Sequence, residues 1–147
     1  MTLEVTKSKK TTETLDQIVA YLTQVPAWYL ATSTKDRPHV RPFSFASVEA
    51  GRIWFCTAKG KDVYDELLDN PYFELCAWHP GNPWLLVSGK AIFDEPSPQL
   101  REEGFRHMVG LGEAHESAND GLLVFFYISE GKAKICDITG NEETFVL

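Results

Sequence analysis

The sequence has little of what staples a chain covalently or anchors it in a membrane. Three cysteines, Cys56, Cys76 and Cys136, are odd in number and far apart, with no C-x-x-C pair. This excludes a disulfide framework and a thiol zinc or redox motif, and leaves buried free thiols in a reducing compartment as the expectation. No apolar run approaches the ~20 residues of a membrane span. Met1 to Lys10 is polar and lysine-bearing, without the apolar stretch of a secretory signal, so the expected location is the cytoplasm. Basic residues are scarce as well: 14 Lys and Arg against 21 Asp and Glu give a formal charge of −7. Such a surface does not favour non-specific binding to nucleic acid or to an anionic membrane.

Several catalytic signatures are also missing. There is no G-x-S-x-G elbow, no H-E-x-x-H and no G-K-[ST] P-loop, and Gly110-Leu111-Gly112 lacks a third glycine at dinucleotide spacing. His39, His79, His107 and His115 are dispersed, so no metal site is expected, although His107 and His115 can converge with Glu113 and Glu116. No Ser/His/Asp order stands out. None of the 21 acids is singled out as half of a catalytic carboxylate pair.

What remains is an ordinary globular composition, 44% hydrophobic and 12% aromatic over 147 residues, expected to form one domain spanning 1–147. Helical spacing of Leu15, Ile18, Val19 and Leu22 predicts a helix over 12–24, with Thr12 or Thr14 available as its cap, and Pro26 stops it. Further helices are predicted from 61 or 62 to 69 and over 97–109, the latter with Ser97 as cap and Pro98 in its first turn. Short strands are expected at 28–34, 39–48, 52–57, 72–78, 84–93, 122–129 and 132–137. The last two would form a hairpin around Glu130-Gly131. Gly89 would mark a bulge or close approach, and Pro42 would place its strand at a sheet edge. Antiparallel strands with inserted helices indicate a β-barrel or a compact α+β sheet.

Charge is uneven along the chain. Residues 35–61 carry a net +4 and the remainder −11, a distribution suited to one small anion. Within that window Thr57-Ala58-Lys59-Gly60-Lys61-Asp62 hands a strand to a helix through a glycine. The first N–H groups of a helix lack intrahelical partners and sit at its positive dipole end, so an anion gains those donors, the Thr57 hydroxyl and two lysines. On these residues alone a solvated turn carrying two surface lysines is the commoner outcome. The preceding hairpin favours the anion: counting outward from Ala50, Arg41 and Lys59 are equidistant, which would pair the two strands and bring a bidentate guanidinium to the helix start. Alternation then puts His39, Arg41, Phe43 and Phe45 on one face, with room for an aromatic ring beside the phosphate.

These residues carry a family likeness. Arg37-Pro38-His39-Val40-Arg41-Pro42-Phe43-Ser44-Phe45, then Ile53-Trp54-Phe55-Cys56-Thr57 with Lys59 and Lys61, then Trp84-Leu85-Leu86-Val87-Ser88-Gly89-Lys90-Ala91, resemble the pyridoxamine 5'-phosphate oxidase-like FMN-binding split-barrel family. The resemblance implies a mainly β (α+β) fold, a six-stranded antiparallel split β-barrel with peripheral helices, and a homodimer with FMN at the subunit interface. It implies that Arg41, Thr57, Lys59 and Lys61 hold the FMN phosphate. Backbone around Pro42, Phe43 and Ser44 would flank the isoalloxazine, with Cys56 at the strand end. Trp84 falls where family oxidases carry a polar residue reaching the partner's flavin; as a tryptophan it would stack or form a wall there, or else pack in the core.

Family oxidases of pyridoxamine phosphate continue into an Arg-x-His substrate motif, and Asn141-Glu142-Glu143-Thr144 has neither residue. The expectation is therefore a small FMN-dependent oxidoreductase acting on another small molecule, with NAD(P)H as a possible reductant. The alternatives are a non-catalytic flavin carrier or electron-transfer protein, or a related haem or deazaflavin binder.

Overall fold

The computed structural model describes residues 11–147. The polar start, Met1 to Lys10, and a capping role for the Thr12 side chain lie outside the described residues. Helix α1 (Thr11–Gln24) leads into β1 (Trp28–Thr34), β2 (Arg37–Phe43), β3 (Ser47–Glu49) and β4 (Arg52–Ala58). Helix α2 (Asp62–Asp69) follows, then β5 (Tyr72–Ala77), β6 (Trp84–Phe93), α3 (Pro98–Gly110), β7 (Leu123–Cys136) and β8 (Glu142–Val146). Ser97 caps α3 by accepting the Leu100 N–H, with Pro98 next to it. No described helix is long and apolar enough to cross a membrane.

All strands belong to one antiparallel sheet in the order β2-β1-β5-β6-β7-β4-β3, with β8 added to β7. Consecutive strands β2 and β3 thus stand at opposite ends of the sheet. Four chain steps, from Phe43 to Ser47, join those ends, a reach of at most roughly 14 Å. The sheet must roll until its edges approach, leaving a seam between β2 and β4. This is the split barrel that the family resemblance implies, built here from eight strands where six were expected.

Three local expectations are corrected. The expected strand 39–48 breaks at residues 44–46, and β2 pairs with β1 (Arg41 opposite Leu30), not with β4; only residues 47–49 form the hairpin with β4. Phe45 consequently leaves the face of Arg41 and Phe43 for a different hydrophobic cluster. Glu130-Gly131 is not a hairpin turn: β7 runs on through it as one strand, with Glu130 at φ 53° and a register shift opposite Ser88 and Lys90. Gly89 sits at that irregularity, where a Cβ would lie 2.5 Å from Ile128 Cγ2 and 2.9 Å from the Ser129 carbonyl oxygen, so only glycine fits. One edge of β7 pairs with β4 over its first half and with β8 over its second.

Strand β4 is buried on both faces. Ile53 and Phe55 point into the barrel with Trp28, Phe43, Phe73 and Phe126, beneath Ile18 and Leu22 of α1. Trp54 and Cys56 point the other way, to Leu100 and Met108 of α3. The two cores hold the walls of the seam in place.

Candidate functional site

A cavity of about 300 Å³ opens at the seam. From β2 and the connection after it come Arg41, Pro42, Phe43 and Ser44; from the end of β4 come Cys56 and Thr57. Lys61 and Val63 line it at the start of α2, and Met108, Leu111 and Glu113 line it from the end of α3 and the loop that follows. A second, more polar hollow of about 590 Å³ adjoins it, sharing Arg41, Pro42, Lys61 and Val63 and adding His39, Gly60 and Glu66. Pro42 lies on the end strand of the sheet, where its missing N–H costs no ladder bond.

Helix α2 begins here for local reasons. Gly60 adopts φ 91°, turning the chain out of β4, and Lys61 occupies the cap position in extended conformation with no side-chain capping bond. The Tyr64 N–H bonds the Lys61 carbonyl at 3.1 Å, which leaves the Asp62 and Val63 N–H groups, on residues that line the polar hollow, without an intrahelical partner.

Both cations are held by carboxylates. Arg41 forms an ion pair with Glu66 of α2, and it donates to Thr32 Oγ1 at 2.9 Å and to the Leu30 carbonyl at 3.2 Å. Burial pushes the Glu66 carboxyl up, but the Thr32 hydroxyl and the Arg41 guanidinium outweigh it and leave the group below its ordinary value. Lys61 Nζ donates to Glu113 at 2.7 Å. Glu113 in turn meets His115 Nε2 at 3.1 Å, and His115 Nδ1 meets Asp120 at 2.9 Å. The His115 side chain is only 3% exposed. Burial alone would lower it, but hydrogen bonds to Asp120 and Glu113 raise it above the usual imidazole value. Glu113, pushed up by burial, ends below its ordinary value because Lys61 and His115 donate to it. A chain of alternating charge thus runs from the cavity into the 111–121 loop. Burial drives the Cys56 thiol strongly up, with Glu113 adding to the effect, so Cys56 stays protonated as an apolar wall.

Of the nine residues expected at the site, seven line this cavity: Arg41, Pro42, Phe43, Ser44, Cys56, Thr57 and Lys61. Lys59 does not; its N–H ties the strand end to the Leu122 carbonyl at 2.9 Å and the residue is exposed. Trp84 lines a separate cavity of about 650 Å³ with Cys76, Trp78 and Ile138. Cys76 is half-buried there, whereas Cys56 and Cys136 are buried as expected. Sequence reading brings Glu113 together with His115, as the 3.1 Å contact does, but misses Glu66, the Lys61–Glu113 pair and the pairing of Ser44 with His107. A helix-face carboxylate at 66, one turn beyond Asp62, was the sole local signal, because all three contacts are made across the fold.

The pyridoxamine 5'-phosphate oxidase family model matches residues 14–128. The chain belongs to that family. Among solved structures, a NimC/NimA-family protein of Clostridium acetobutylicum superposes with a TM-score of 0.80 at 24% identity, over 93% of this chain and 94% of that one. General stress protein 26 of Bacillus anthracis gives 0.67 at 16% identity, over 89% and 98%. A pyridoxamine 5'-phosphate oxidase-related, FMN-binding protein of Nostoc punctiforme gives 0.54 at 11% identity, over 92% and 93%. At such identities the likeness is one of fold. No curated protein sequence matches the chain. Membership in the pyridoxamine 5'-phosphate oxidase family agrees with the open antiparallel barrel and its seam.

Proposed function

We propose that the seam cavity binds FMN and that the protein is a cytoplasmic FMN-dependent oxidoreductase acting on a small molecule. The observation that carries this reading is the convergence of Arg41, Thr57 and Lys61, from three different elements, on one cavity beside an uncapped helix start. The donor set suits a phosphate dianion: a guanidinium able to grip two oxygens, an ammonium, a hydroxyl and free backbone N–H groups. Lys59 adds long-range positive charge without lining the site.

Bound FMN supplies redox chemistry at its ring; the protein supplies position and field. Glu66 and Glu113 keep the two cations aimed into the hollows, so an incoming phosphate meets groups already in place, and it shares them with those carboxylates. Val63, Met108 and Leu111 offer an apolar wall that excludes water from the ring, with the backbone of Pro42 to Ser44 along its edge. NAD(P)H is the proposed reductant. The protein acts as a homodimer with FMN at the subunit interface, and Trp84 reaches the partner's flavin from the second cavity. Exposed apolar groups at that cavity, Trp78 and Ile138, favour such an association.

Purified protein is expected to be yellow with a flavin spectrum. Arg41→Ala combined with Lys61→Ala should come out colourless while remaining folded. A wild type that neither copurifies with FMN nor takes it up overturns the reading. A neighbour described as an F420 reductase, with a TM-score of 0.51 at 14% identity, makes a deazaflavin the second reading. The absorption spectrum and mass of the extracted ligand separate the two.

A further inference from the structure

Ser44 and His107 meet at the cavity wall. Ser44, in the connection between β2 and β3, lines the cavity, and its Oγ lies 2.7 Å from Nε2 of His107 in the last turn of α3. His107 is half-buried, with the Phe45 ring at 5.5 Å between centroids. The contact joins a cavity-lining serine to a half-buried imidazole.

We infer that Ser44 and His107 form a proton-transfer pair serving the cavity, with Ser44 Oγ as the atom that exchanges a proton with bound substrate. The inference rests on the cavity being the reaction site proposed above. It assigns Ser44 a catalytic role and His107 a positioning and proton-accepting one. The substrates that use such a pair carry an ionisable O–H or N–H at the reacting end, such as a small alcohol, an amine or a reduced heterocycle.

The groups facing His107 set its charge. From other elements these are the neutral Ser44 hydroxyl, the Phe45 ring and Glu113; on its own helix Glu103 lies one turn back. Burial lowers the imidazole below its ordinary value and outweighs the opposing field of Glu113. At neutral pH the ring is uncharged and one nitrogen can receive a proton. In the transfer, the Oγ–H bond breaks toward Nε2 as Oγ takes a proton from the substrate's O–H or N–H. One proton enters the pair and none is lost, and no electron changes hands. His107 then releases its proton to solvent.

The test uses phenylmethanesulfonyl fluoride on the full chain without flavin. An Oγ backed by a proton acceptor forms an O–S bond as the S–F bond breaks, fluoride leaving and the proton passing to Nε2. Peptide mass analysis should find Ser44 labelled, at a rate that rises with pH through the same midpoint as the His107 imidazole in an NMR titration. His107→Gln should be labelled at least about 100-fold more slowly, and saturation with FMN should protect Ser44. Labelling of Ser44 no faster than of other serines, an equal rate in His107→Gln, or a wild-type pH midpoint unrelated to His107 overturns the pair. Protein that is labelled at Ser44 but takes up no FMN keeps the pair and loses the cofactor reading. Protein that takes up FMN and escapes labelling does the reverse.

Discussion

Arg41 and Glu66 tie the free edge of the sheet to helix α2. The guanidinium leaves β2, passes Thr32 of β1 and meets the Glu66 carboxylate, with side chains 20% and 14% exposed. The contact therefore does two things: it holds the rolled sheet against the helix, and it aims a cation at the seam.

Removing the carboxylate leaves a mostly buried guanidinium with Thr32 and the Leu30 carbonyl as its hydrogen-bond partners among the described residues. Glu66→Ala should lower stability by about 1–3 kcal/mol in urea titrations at pH 7. Glu66 is held below its ordinary value, so its contribution is complete above the unfolded value of about 4.3 and is lost as pH falls through the folded value. Wild type and variant should converge in acid. Equal stability at neutral pH would show that the pair contributes nothing.

His115 titrates in the opposite sense. Its value is raised in the folded protein, so its contribution is full below about pH 6.5 and fades as pH rises through the folded value. Its partner Glu113 is lowered, so its contribution is full above the ordinary carboxylate range and is lost as pH falls through the folded value. The Lys61–Glu113–His115–Asp120 chain should thus stabilise most between about pH 4.5 and 6.5. The gap between wild type and His115→Gln, measured by chemical denaturation across pH, should be widest there and shrink toward pH 9.

At Gly104 helix α3 packs closely on Phe125 of β7. A Cβ there would lie 2.5 Å from Phe125 Cζ and 2.7 Å from Cε2, both in a buried ring. Gly104→Ala gains about 1 kcal/mol of helix propensity but overpacks the second core by about 1–3 kcal/mol. A lower Tm is expected, together with weaker flavin retention, because Met108 on the same helix lines the cavity. An unchanged Tm would mean that the helix shifts without cost.

Ile138 is 93% exposed beside Trp78 and Trp84. If that cavity faces a second copy, Ile138→Asp should weaken self-association by about 30-fold or more and reduce flavin occupancy in parallel. Light scattering and the flavin-to-protein absorbance ratio report both. A variant that remains as dimeric as the wild type places the interface elsewhere.

The elements themselves were legible because their signals are local. Helix α2 follows from Gly60, the Val63–Leu67 spacing and Asn70-Pro71; α3 from Ser97 and Pro98; the edge position of β2 from Pro42. Arg41 was placed at the helix start through a strand pairing that does not occur. It arrives there because the sheet rolls and its end strand faces α2. Glu130-Gly131 looked like a turn because a left-handed residue followed by glycine suits both a hairpin and a bulge. What separates the two is the partner strand β6, which runs past both halves of β7.

Residue order alone determined the short strands, the glycine that turns β4 into α2, and the clustering of positive charge between 35 and 61, since period-2 burial, turn chemistry and charge density act within a few residues. Tertiary structure decided which carboxylates hold Arg41 and Lys61, that Lys59 and Trp84 stand apart from the seam, and that Ser44 meets His107. Those contacts join residues 25 to 63 positions apart. They follow from the closure of a whole sheet, which no local pattern encodes.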